Sequence, residues 1–191
     1  MPKQKDENKI KEIHRAARKL VTKSGFTSLK MADVAREAGI ATGTLYVYYK
    51  GKEELINAMF LETKKEISFV LLSGRNSSST FYNTIKNMWT GYFTFCLENP
   101  EKMLFVEEFF YSGNLHEHVI QKGEEYMRPF DDFLSNSRKE GLLKDIDIEI
   151  IKAHLNGSIA EIVKMLLKHK RKISQPEIEQ CFEMAWNSIR K

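Results

Sequence analysis

The sequence predicts an all-α fold of about nine helices, and three observations carry that prediction. Apolar residues recur every three or four positions along most of the chain, which is the period of an amphipathic helix. Glycine, proline and small polar residues interrupt this period where helices would end. No stretch shows the alternation of β-branched and polar residues that marks a strand. With 191 residues, the chain is long enough to bury a core, which argues against general disorder.

About 72 N-terminal residues predict four helices, because the apolar stripe is interrupted three times by turn signals. Leu45 and Tyr49 would face inward on the third of these helices. The boundaries follow the stop and cap signals in order: a first helix to Gly25, a second from a cap at Thr27 or Ser28 to Gly39, a third over residues 42–49, and a fourth from after Gly51 to about residue 72.

The Ser-rich segment 73–80 predicts a surface loop, and five further helices follow it. Pro100 and Gly141 are the stop signals in this part of the chain. The predicted helices cover residues 81–98, 101–112 and 115–140, then run from a cap at Asp147 to Lys170, and finally from the S-x-x-E capping box of Ser174 and Glu177.

Positive charge is concentrated at the N-terminus. Residues 1–54 contain 12 Lys and Arg against 7 Asp and Glu, a net of +5, whereas the remainder contains 18 against 19, a net of −1. Such asymmetry indicates a polyanionic partner, either nucleic acid or an anionic membrane surface. A solvated basic face explains the charge equally well at this point.

Cysteine usage and hydropathy predict a reducing, cytoplasmic setting. Cys96 and Cys181 lie far apart and belong to no metal-ligand cluster, so the sequence predicts neither a disulfide scaffold nor a metal site. The charged N-terminus lacks the apolar stretch of a secretion signal, and no later segment is apolar enough to span a bilayer. We expect no membrane insertion and no cofactor.

Residues 31–50 have the spacing of a helix-turn-helix motif, with a short helix on each side of a glycine turn. With about 100° per residue, Leu45 and Tyr49 share one side of the second helix. The other side combines small, polar and apolar groups, which suits contact with a DNA groove. That side comprises Gly43, Thr44, Val47 and Tyr48.

Lys50 and Lys52 follow the motif directly. A lysine in the first turn of a helix opposes the helix dipole, so Lys52 suggests a phosphate bound there. In the alternative interpretation, the nearby tyrosines Tyr46, Tyr48 and Tyr49 are packing aromatics of a small bundle. Burying all three would leave the helix no polar face beyond its threonines.

The segment FTSLKMADVAREAGIATGTLYVYYKGKEEL, residues 26–55, closely resembles the DNA-binding segment of TetR/AcrR-family transcriptional regulators. AREAG, GTLY and KEEL occur together at the family spacing. The resemblance implies that Thr27 and Lys52 hold backbone phosphates, and Lys50 is a further candidate for DNA contact from its position and charge. It also implies that the residues facing the major groove are Thr42, Gly43, Thr44, Tyr46 and Tyr48.

Two positions depart from the family pattern. Ala41 stands where the family often has a serine that caps the recognition helix, which removes a hydrogen bond worth about 1 kcal/mol. Tyr49 replaces a common phenylalanine, which is a mild change.

The predicted helices five to seven are rich in aromatic residues and methionine, which suits either an ordinary core or the wall of an apolar pocket. The family resemblance implies a small effector bound there. We expect Trp89, Tyr92, Phe93 and Phe109 to stack on it, with Tyr126 or His154 as a polar anchor. For His154, and for His116 and His118, an ordinary surface or core position is the alternative.

An apolar stripe on helices eight and nine exceeds what one helical layer needs, which predicts a paired surface. In the family, these helices form a four-helix dimer interface that places two recognition helices about one DNA turn apart, ~34 to 36 Å. The predicted interface residues are Leu155, Ile159, Ile162, Leu166, Phe182 and Trp186.

Together these features predict a homodimeric transcriptional regulator with a DNA-binding domain over residues 1–54 and an effector-binding and dimerisation domain over 55–191. We expect a repressor that leaves its palindromic double-stranded operator when a small apolar or amphipathic effector binds. No nucleophile elbow, P-loop or dinucleotide fingerprint is present, so the sequence does not predict an enzyme. A helical adaptor or a ligand-binding protein acting without DNA is the alternative, and an enzyme of unknown type is another.

Overall fold

The computed structural model describes residues 6–75, 79–113 and 115–191, and within these ranges the regular structure is helical apart from one isolated bridge between Leu143 and Arg190. This confirms the all-α prediction. Part of the predicted Ser-rich loop, residues 76–78, lies outside the described residues. The nine helices of the described part are α1 (Glu7–Ser24), α2 (Met31–Glu37), α3 (Thr42–Tyr48), α4 (Lys52–Ser73), α5 (Phe81–Glu98), α6 (Pro100–Tyr111), α7 (Glu117–Lys139), α8 (Ile148–Lys168) and α9 (Gln175–Ile189).

Several helices begin at side-chain caps. The Asp6 carboxylate accepts hydrogen bonds from the first backbone N–H groups of α1, and Asp147 caps α8 in the same way, as predicted. Ser174 and Glu177 form the predicted capping box of α9. These bonds satisfy backbone donors that have no partner within the helix, so they fix where each helix starts.

The start of α2 differs from the prediction. Its N-cap is Lys30, whose side chain makes no capping hydrogen bond, so the expectation that Thr27 or Ser28 caps this helix was wrong. The Ser28 hydroxyl instead donates backwards to the carbonyl oxygen of Gly25 at 3.1 Å. The Ser28 hydroxyl is thus used within the turn before α2, and the following residue, Leu29, is buried.

The chain forms two compact units. The first comprises Met1–Lys64 with Glu101–Gly123, and the second comprises Lys65–Pro100 with Glu124–Lys191. This division differs from a cut at residue 54, because α6 contributes side chains to the core of the first unit.

In the first unit, α1 to α3 pack with the beginning of α4 and with α6. Phe109 is fully buried there, with its ring centroid 5.2 Å from that of Phe26 and 4.6 Å from that of Phe105. That Phe109 lines an effector pocket together with Trp89 stays a prediction. Its aromatic contacts are with core residues of the first unit.

In the second unit, α5 packs against α8 and α9 around an aromatic cluster. The rings of Trp89 and Phe93 stack with centroids 5.0 Å apart, and Phe182 lies 5.8 Å from Trp89. The Tyr92 hydroxyl donates to the side-chain oxygen of Asn156 on α8 at 2.8 Å. Aromatic packing and this hydrogen bond together hold the helices of the unit.

The end of α4 approaches α5 very closely within the second unit. A Cβ atom on Gly74 would lie 2.6 Å from the backbone nitrogen of Met88, so only glycine fits there without a shift of the backbone. The two cysteines differ in exposure, since Cys96 is buried on α5 and Cys181 is half-buried on α9. None of the helices in the described ranges has both the length and the apolar character needed to span a bilayer.

Candidate nucleic-acid interface and effector site

The connection between α2 and α3 is a tight turn. Gly39 adopts a φ of +67°, which favours glycine, and the backbone N–H of Ile40 donates to the carbonyl oxygen of Ala35 at 3.0 Å. Ile40 packs against the core of the first unit. The turn therefore places α3 across α2 in the predicted helix-turn-helix arrangement.

One side of α3 is buried and the other is exposed, and most residues lie on the side that the sequence predicted. Leu45 is completely buried, and Tyr49, at the C-cap, is also buried. Tyr46 and Val47 are 51% and 73% exposed. Thr42 and Gly43 are exposed and Thr44 is half-buried. The outward surface of α3 thus carries a phenol, an apolar group and a glycine.

Tyr48 is the exception on this helix. Its side chain is only 8% exposed, so the prediction of an outward-facing Tyr48 was wrong. Its hydroxyl oxygen accepts a hydrogen bond from the backbone N–H of Asp6 at 3.3 Å. The Tyr48 ring belongs to the core of the first unit, and its hydroxyl contacts the residue that caps α1.

Thr27, Lys50 and Lys52 lie at the ends of the helices around this surface. Thr27 is exposed in the turn before α2, and Lys50 is exposed after α3. The Lys52 ammonium nitrogen lies 4.6 Å from the centroid of the Phe26 ring, a cation–π contact. Glu54, in the first turn of α4, accepts a hydrogen bond from the backbone N–H of Lys50 at 2.7 Å. Its negative charge is favourable at this end of the helix dipole and compensates for the unfavourable position of Lys52 in the same turn.

Ala41 is the N-cap of α3 and provides no side-chain hydrogen bond. The first turn of α3 therefore lacks the cap that a serine would supply, as the sequence predicted.

A buried polar network, which the sequence analysis missed, joins α1 to α3 and α4. His14 is 2% exposed, and its two ring nitrogens lie 2.5 Å from the Glu62 carboxylate and 2.7 Å from the Tyr49 hydroxyl. Arg18, also buried, has a guanidinium nitrogen 4.0 Å from the same carboxylate. The signal in the sequence was a histidine within the apolar stripe of α1, next to the buried Ile13.

The environment shifts two pKa values in this network. Burial raises the pKa of Tyr49 to about 12, and the negative charge of Glu62 adds to that shift. Burial alone would raise the pKa of Glu62, but the hydrogen bond from His14 and the nearby positive charges hold it below its usual value. Glu62 is therefore ionised and Tyr49 neutral at pH 7.

The residues expected to bind an effector are placed unequally. Trp89 and Phe93 are buried together in the second unit, and the indole nitrogen of Trp89 has no hydrogen-bond partner among the described residues. Tyr92 and Tyr126 are half-buried in the same unit. His154 is exposed on α8, so it is not the enclosed polar anchor that the sequence suggested.

The predicted dimer residues fall into two groups. Ile159, Leu166 and Phe182 are buried within the chain itself, so their assignment to an intersubunit surface was wrong. Leu155, Ile162 and Trp186 are half-buried. The exposed apolar side chains on α8 and α9 include Met165 and Met184, which is 75% exposed.

The histidines of the first unit form no metal centre. His116 and His118 have ring centroids 5.6 Å apart, and His116 lies 3.7 Å from the Glu53 carboxylate. Across the described part of the chain, no group of three or more potential ligands is placed to hold a metal ion.

Two family profiles match the chain. Residues 13–59 match "Bacterial regulatory proteins, tetR family", and residues 81–190 match "Tetracyclin repressor-like, C-terminal domain". The first match contains both helices of the helix-turn-helix, and the second spans more than half of the chain.

Relatives and solved structures agree with this assignment. An uncharacterized HTH-type transcriptional regulator of Haemophilus influenzae is 27% identical over 94% of this chain and 95% of its own length. A TetR family transcription regulator from Marinobacter aquaeolei has the same fold, with a TM-score of 0.90, 22% identity and 97% of both chains covered. The transcriptional regulator FadR from Bacillus subtilis, solved in complex with stearoyl-CoA, gives a TM-score of 0.70 at 19% identity and covers 92% of this chain and 96% of its own.

The helix-turn-helix with its exposed α3 surface, the helical second unit and both profile matches lead to one conclusion: the chain belongs to the tetR family of bacterial regulatory proteins and is a DNA-binding transcriptional regulator.

Proposed function

We propose that the chain is a homodimeric repressor that binds a palindromic DNA operator through α3 and leaves it when a small amphipathic effector binds in the second unit. The observation that carries the DNA-binding part is the outward surface of α3. There Tyr46 and Val47 project into solvent beside Gly43, whose missing side chain allows close approach to a groove wall.

Phosphate contacts would come from the ends of the helices around α3. Thr27 offers a hydroxyl, Lys50 offers an exposed ammonium group, and Lys52 lies in the first turn of α4. Tyr46 supplies a phenol for bases or phosphates, and Val47 an apolar surface for a thymine methyl. The net charge of +5 over residues 1–54 favours this partner over a neutral one.

The DNA-binding proposal is tested by fluorescence anisotropy. A labelled duplex selected from a random pool with the unmodified chain is titrated at several salt concentrations. Lys52→Ala should weaken binding to all sequences and reduce the slope of log affinity against log salt by about one unit. Lys168→Ala, an exposed lysine on α8, is the matched control and should leave both unchanged.

Anionic phospholipid vesicles serve as the second partner in the same assay. Salt-sensitive binding to the duplex with no binding to vesicles supports DNA recognition. Binding to vesicles with no sequence preference among duplexes would instead support an adaptor that acts at membranes.

The dimer proposal rests on the surface of α8 and α9 that faces solvent. Met165 and Met184 are exposed, and Gly157 and Ser158 on α8 leave room for a second helix to approach. A two-fold pair of chains would bind two half-sites about one helical turn apart, ~34 to 36 Å. The half-buried Leu155, Ile162 and Trp186 would lie at the edge of such an interface.

The effector proposal rests on the aromatic cluster of the second unit. Trp89 and Phe93 form a flat apolar surface, and the Trp89 indole N–H is a buried donor without a partner among the described residues. A ligand with an apolar chain and a polar acceptor would satisfy both features. The FadR relative in complex with stearoyl-CoA supports a long-chain acyl thioester as the first probe.

Intrinsic fluorescence tests this proposal, because both tryptophans belong to the second unit. Trp186→Phe leaves Trp89 as the single reporter, and stearoyl-CoA should change its emission whereas coenzyme A alone should not. The ligand should also release the duplex, and by linkage the duplex should weaken stearoyl-CoA binding by the same factor.

Three outcomes decide this experiment. Reciprocal weakening supports a repressor released by its effector. Binding of stearoyl-CoA with unchanged duplex affinity contradicts the switching mechanism. Recovery of free coenzyme A after incubation would indicate a hydrolytic enzyme and contradict a purely regulatory role.

A further inference from the structure

His14 occupies the centre of the first unit and contacts two other helices through its two ring nitrogens. Nδ1 lies 2.5 Å from the Glu62 carboxylate on α4, and Nε2 lies 2.7 Å from the hydroxyl of Tyr49 at the end of α3. In sequence, His14 lies 35 residues before Tyr49 and 48 residues before Glu62. One side chain of α1 therefore links α4 with the end of α3.

The direction of each hydrogen bond follows from the groups involved. Glu62 is ionised and can only accept, so Nδ1 carries a hydrogen and donates it. When the imidazole is neutral, Nε2 is an acceptor and the Tyr49 hydroxyl donates to it. When the imidazole is protonated, Nε2–H donates to the Tyr49 oxygen. The chain of hydrogen bonds is complete in both charge states.

The His14 and Tyr49 part of the network is shielded from water, whereas the Glu62 side chain is 35% exposed. His14 is 2% exposed and Tyr49 is buried, and Arg18 adds a positive charge 4.0 Å from Glu62. In such a low-dielectric setting, losing one partner leaves a buried polar group without its bond, so alternative arrangements are costly. A displacement of Glu62 must therefore either move His14 or break the hydrogen bond at Nδ1.

We propose that His14 is a positioning residue that transmits the position of Glu62 on α4 to the end of α3, and so sets the orientation of α3 for DNA. The inference rests on the proposed DNA-binding surface. Tyr49 is the C-cap residue of α3, two positions after the exposed Val47, so a displacement of Tyr49 would reorient the helix that carries Tyr46 and Val47. A movement of Glu62 on α4 would then change DNA binding through its contact with His14 and the contact of His14 with Tyr49.

A double-mutant cycle tests the path. Duplex affinity is measured for the unmodified chain, Tyr49→Phe, Glu62→Gln and the double variant, at a temperature at which circular dichroism shows all four folded. Each single change should weaken binding about three- to thirty-fold. Because both act through His14, Glu62→Gln should change affinity less than about two-fold once the Tyr49 hydroxyl is gone.

Tyr48→Phe is the matched control. It also removes one tyrosine hydroxyl that ties α3 to α1, but its partner is the backbone of Asp6 and not His14. In the Tyr48→Phe background, Glu62→Gln should keep its full effect on duplex affinity. A purely structural role would lower stability in all backgrounds and give additive effects on binding in both cycles, which would overturn the proposal.

A further variant, His14→Asn, and an NMR measurement distinguish loss of the His14 contacts from misfolding. In His14→Asn, the amide nitrogen can replace Nδ1 towards Glu62 but does not reach Tyr49, so this variant should bind DNA like Tyr49→Phe. The ¹⁵N chemical shift of His14 Nε2 should move in Tyr49→Phe and stay in Tyr48→Phe. An unmoved shift in Tyr49→Phe would contradict the hydrogen bond itself.

Duplex binding by the unmodified chain separates a failure of the proposed function from a failure of the proposed role of His14. If the unmodified chain binds no duplex, the proposed function is wrong. If it binds duplex and the two cycles are equally additive, DNA binding stands and only the role of His14 is wrong.

Discussion

The rings of Phe26 and Phe109 meet edge to face with centroids 5.2 Å apart, which joins the turn before α2 to α6 inside the first unit. The same Phe26 ring receives the Lys52 ammonium group at 4.6 Å. Core packing and a proposed phosphate contact therefore share one aromatic side chain.

Phe109→Ala should lower the free energy of unfolding by about 3 to 5 kcal/mol, because it removes a fully buried ring and leaves a cavity. Phe110→Ala, on the next position of α6 and exposed, should cost much less. Urea unfolding followed by circular dichroism measures both. Equal losses would show that Phe109 is not a core anchor.

Acid should destabilise the protein partly through Glu62. Its pKa is lower in the folded chain than usual, so its ionised form contributes stability at neutral pH, and this contribution is lost as pH falls through the folded pKa. The unfolding free energy of Glu62→Gln should therefore fall less between pH 7 and about pH 3 than that of the unmodified chain. Glu108→Gln, exposed on α6, should leave the pH dependence as it is.

Ala41→Ser should add the missing side-chain cap to α3. We expect about 1 kcal/mol of additional stability and tighter duplex binding, since the hydroxyl can accept from the first turn of α3 and contact a phosphate. Ala41→Val adds a side chain that cannot accept a hydrogen bond and should produce neither gain. Thermal unfolding and anisotropy provide the two measurements. Equal behaviour of the two variants would rule out capping as the cause.

Gly74→Ala should destabilise the second unit. The new Cβ would lie 2.6 Å from the backbone nitrogen of Met88, so the end of α4 or the middle of α5 must shift, at a cost of about 1 to 3 kcal/mol. Gly91→Ala meets only the Val70 side chain at 3.6 Å, an ordinary contact, and should be neutral or stabilising by up to ~1 kcal/mol. Urea unfolding separates the two. A stable Gly74→Ala would contradict the close approach.

Met184→Glu should convert the proposed dimer into monomers, because a charge buried at an interface without a partner costs several kcal/mol. Val47→Glu has nearly the same exposure in the single chain, 73% against 75%, and should remain dimeric while losing affinity for DNA. Light scattering reports the mass of each. A 22.3 kDa particle for the unmodified chain at micromolar concentration would contradict the dimer.

Helix positions were predictable from the sequence because their signals are local. The caps Asp147 and Ser174 and the stop at Gly39 act within one turn of the residues they bond. The predicted cap of α2 was wrong because the Ser28 hydroxyl donates to carbonyl oxygens of the preceding turn, and Lys30 stands at the N-cap.

Side-chain placement at the site was less predictable because it depends on contacts distant in sequence. Tyr48 lies only about 60° from Leu45 on a helical wheel, and in the structure it joins the core of the first unit and contacts Asp6, 42 residues away. Composition placed Phe109 with Trp89, yet its partner Phe26 lies in a different part of the chain. A periodic stripe also cannot separate residues buried within one chain from those buried between two, as Ile159 shows.

The unequal environments of the two cysteines provide a reporter that needs no engineering. Burial raises the pKa of the Cys96 thiol to about 12, so its reactive thiolate is scarce at neutral pH. Partial burial and the negative charge of Glu177 also raise the pKa of Cys181, but this thiol is only half-buried on α9, one turn from the exposed Met184. A maleimide nitroxide should therefore attach faster at Cys181 than at Cys96, and in the proposed dimer the distance between two such spin labels would follow changes in chain pairing as DNA or ligand is added.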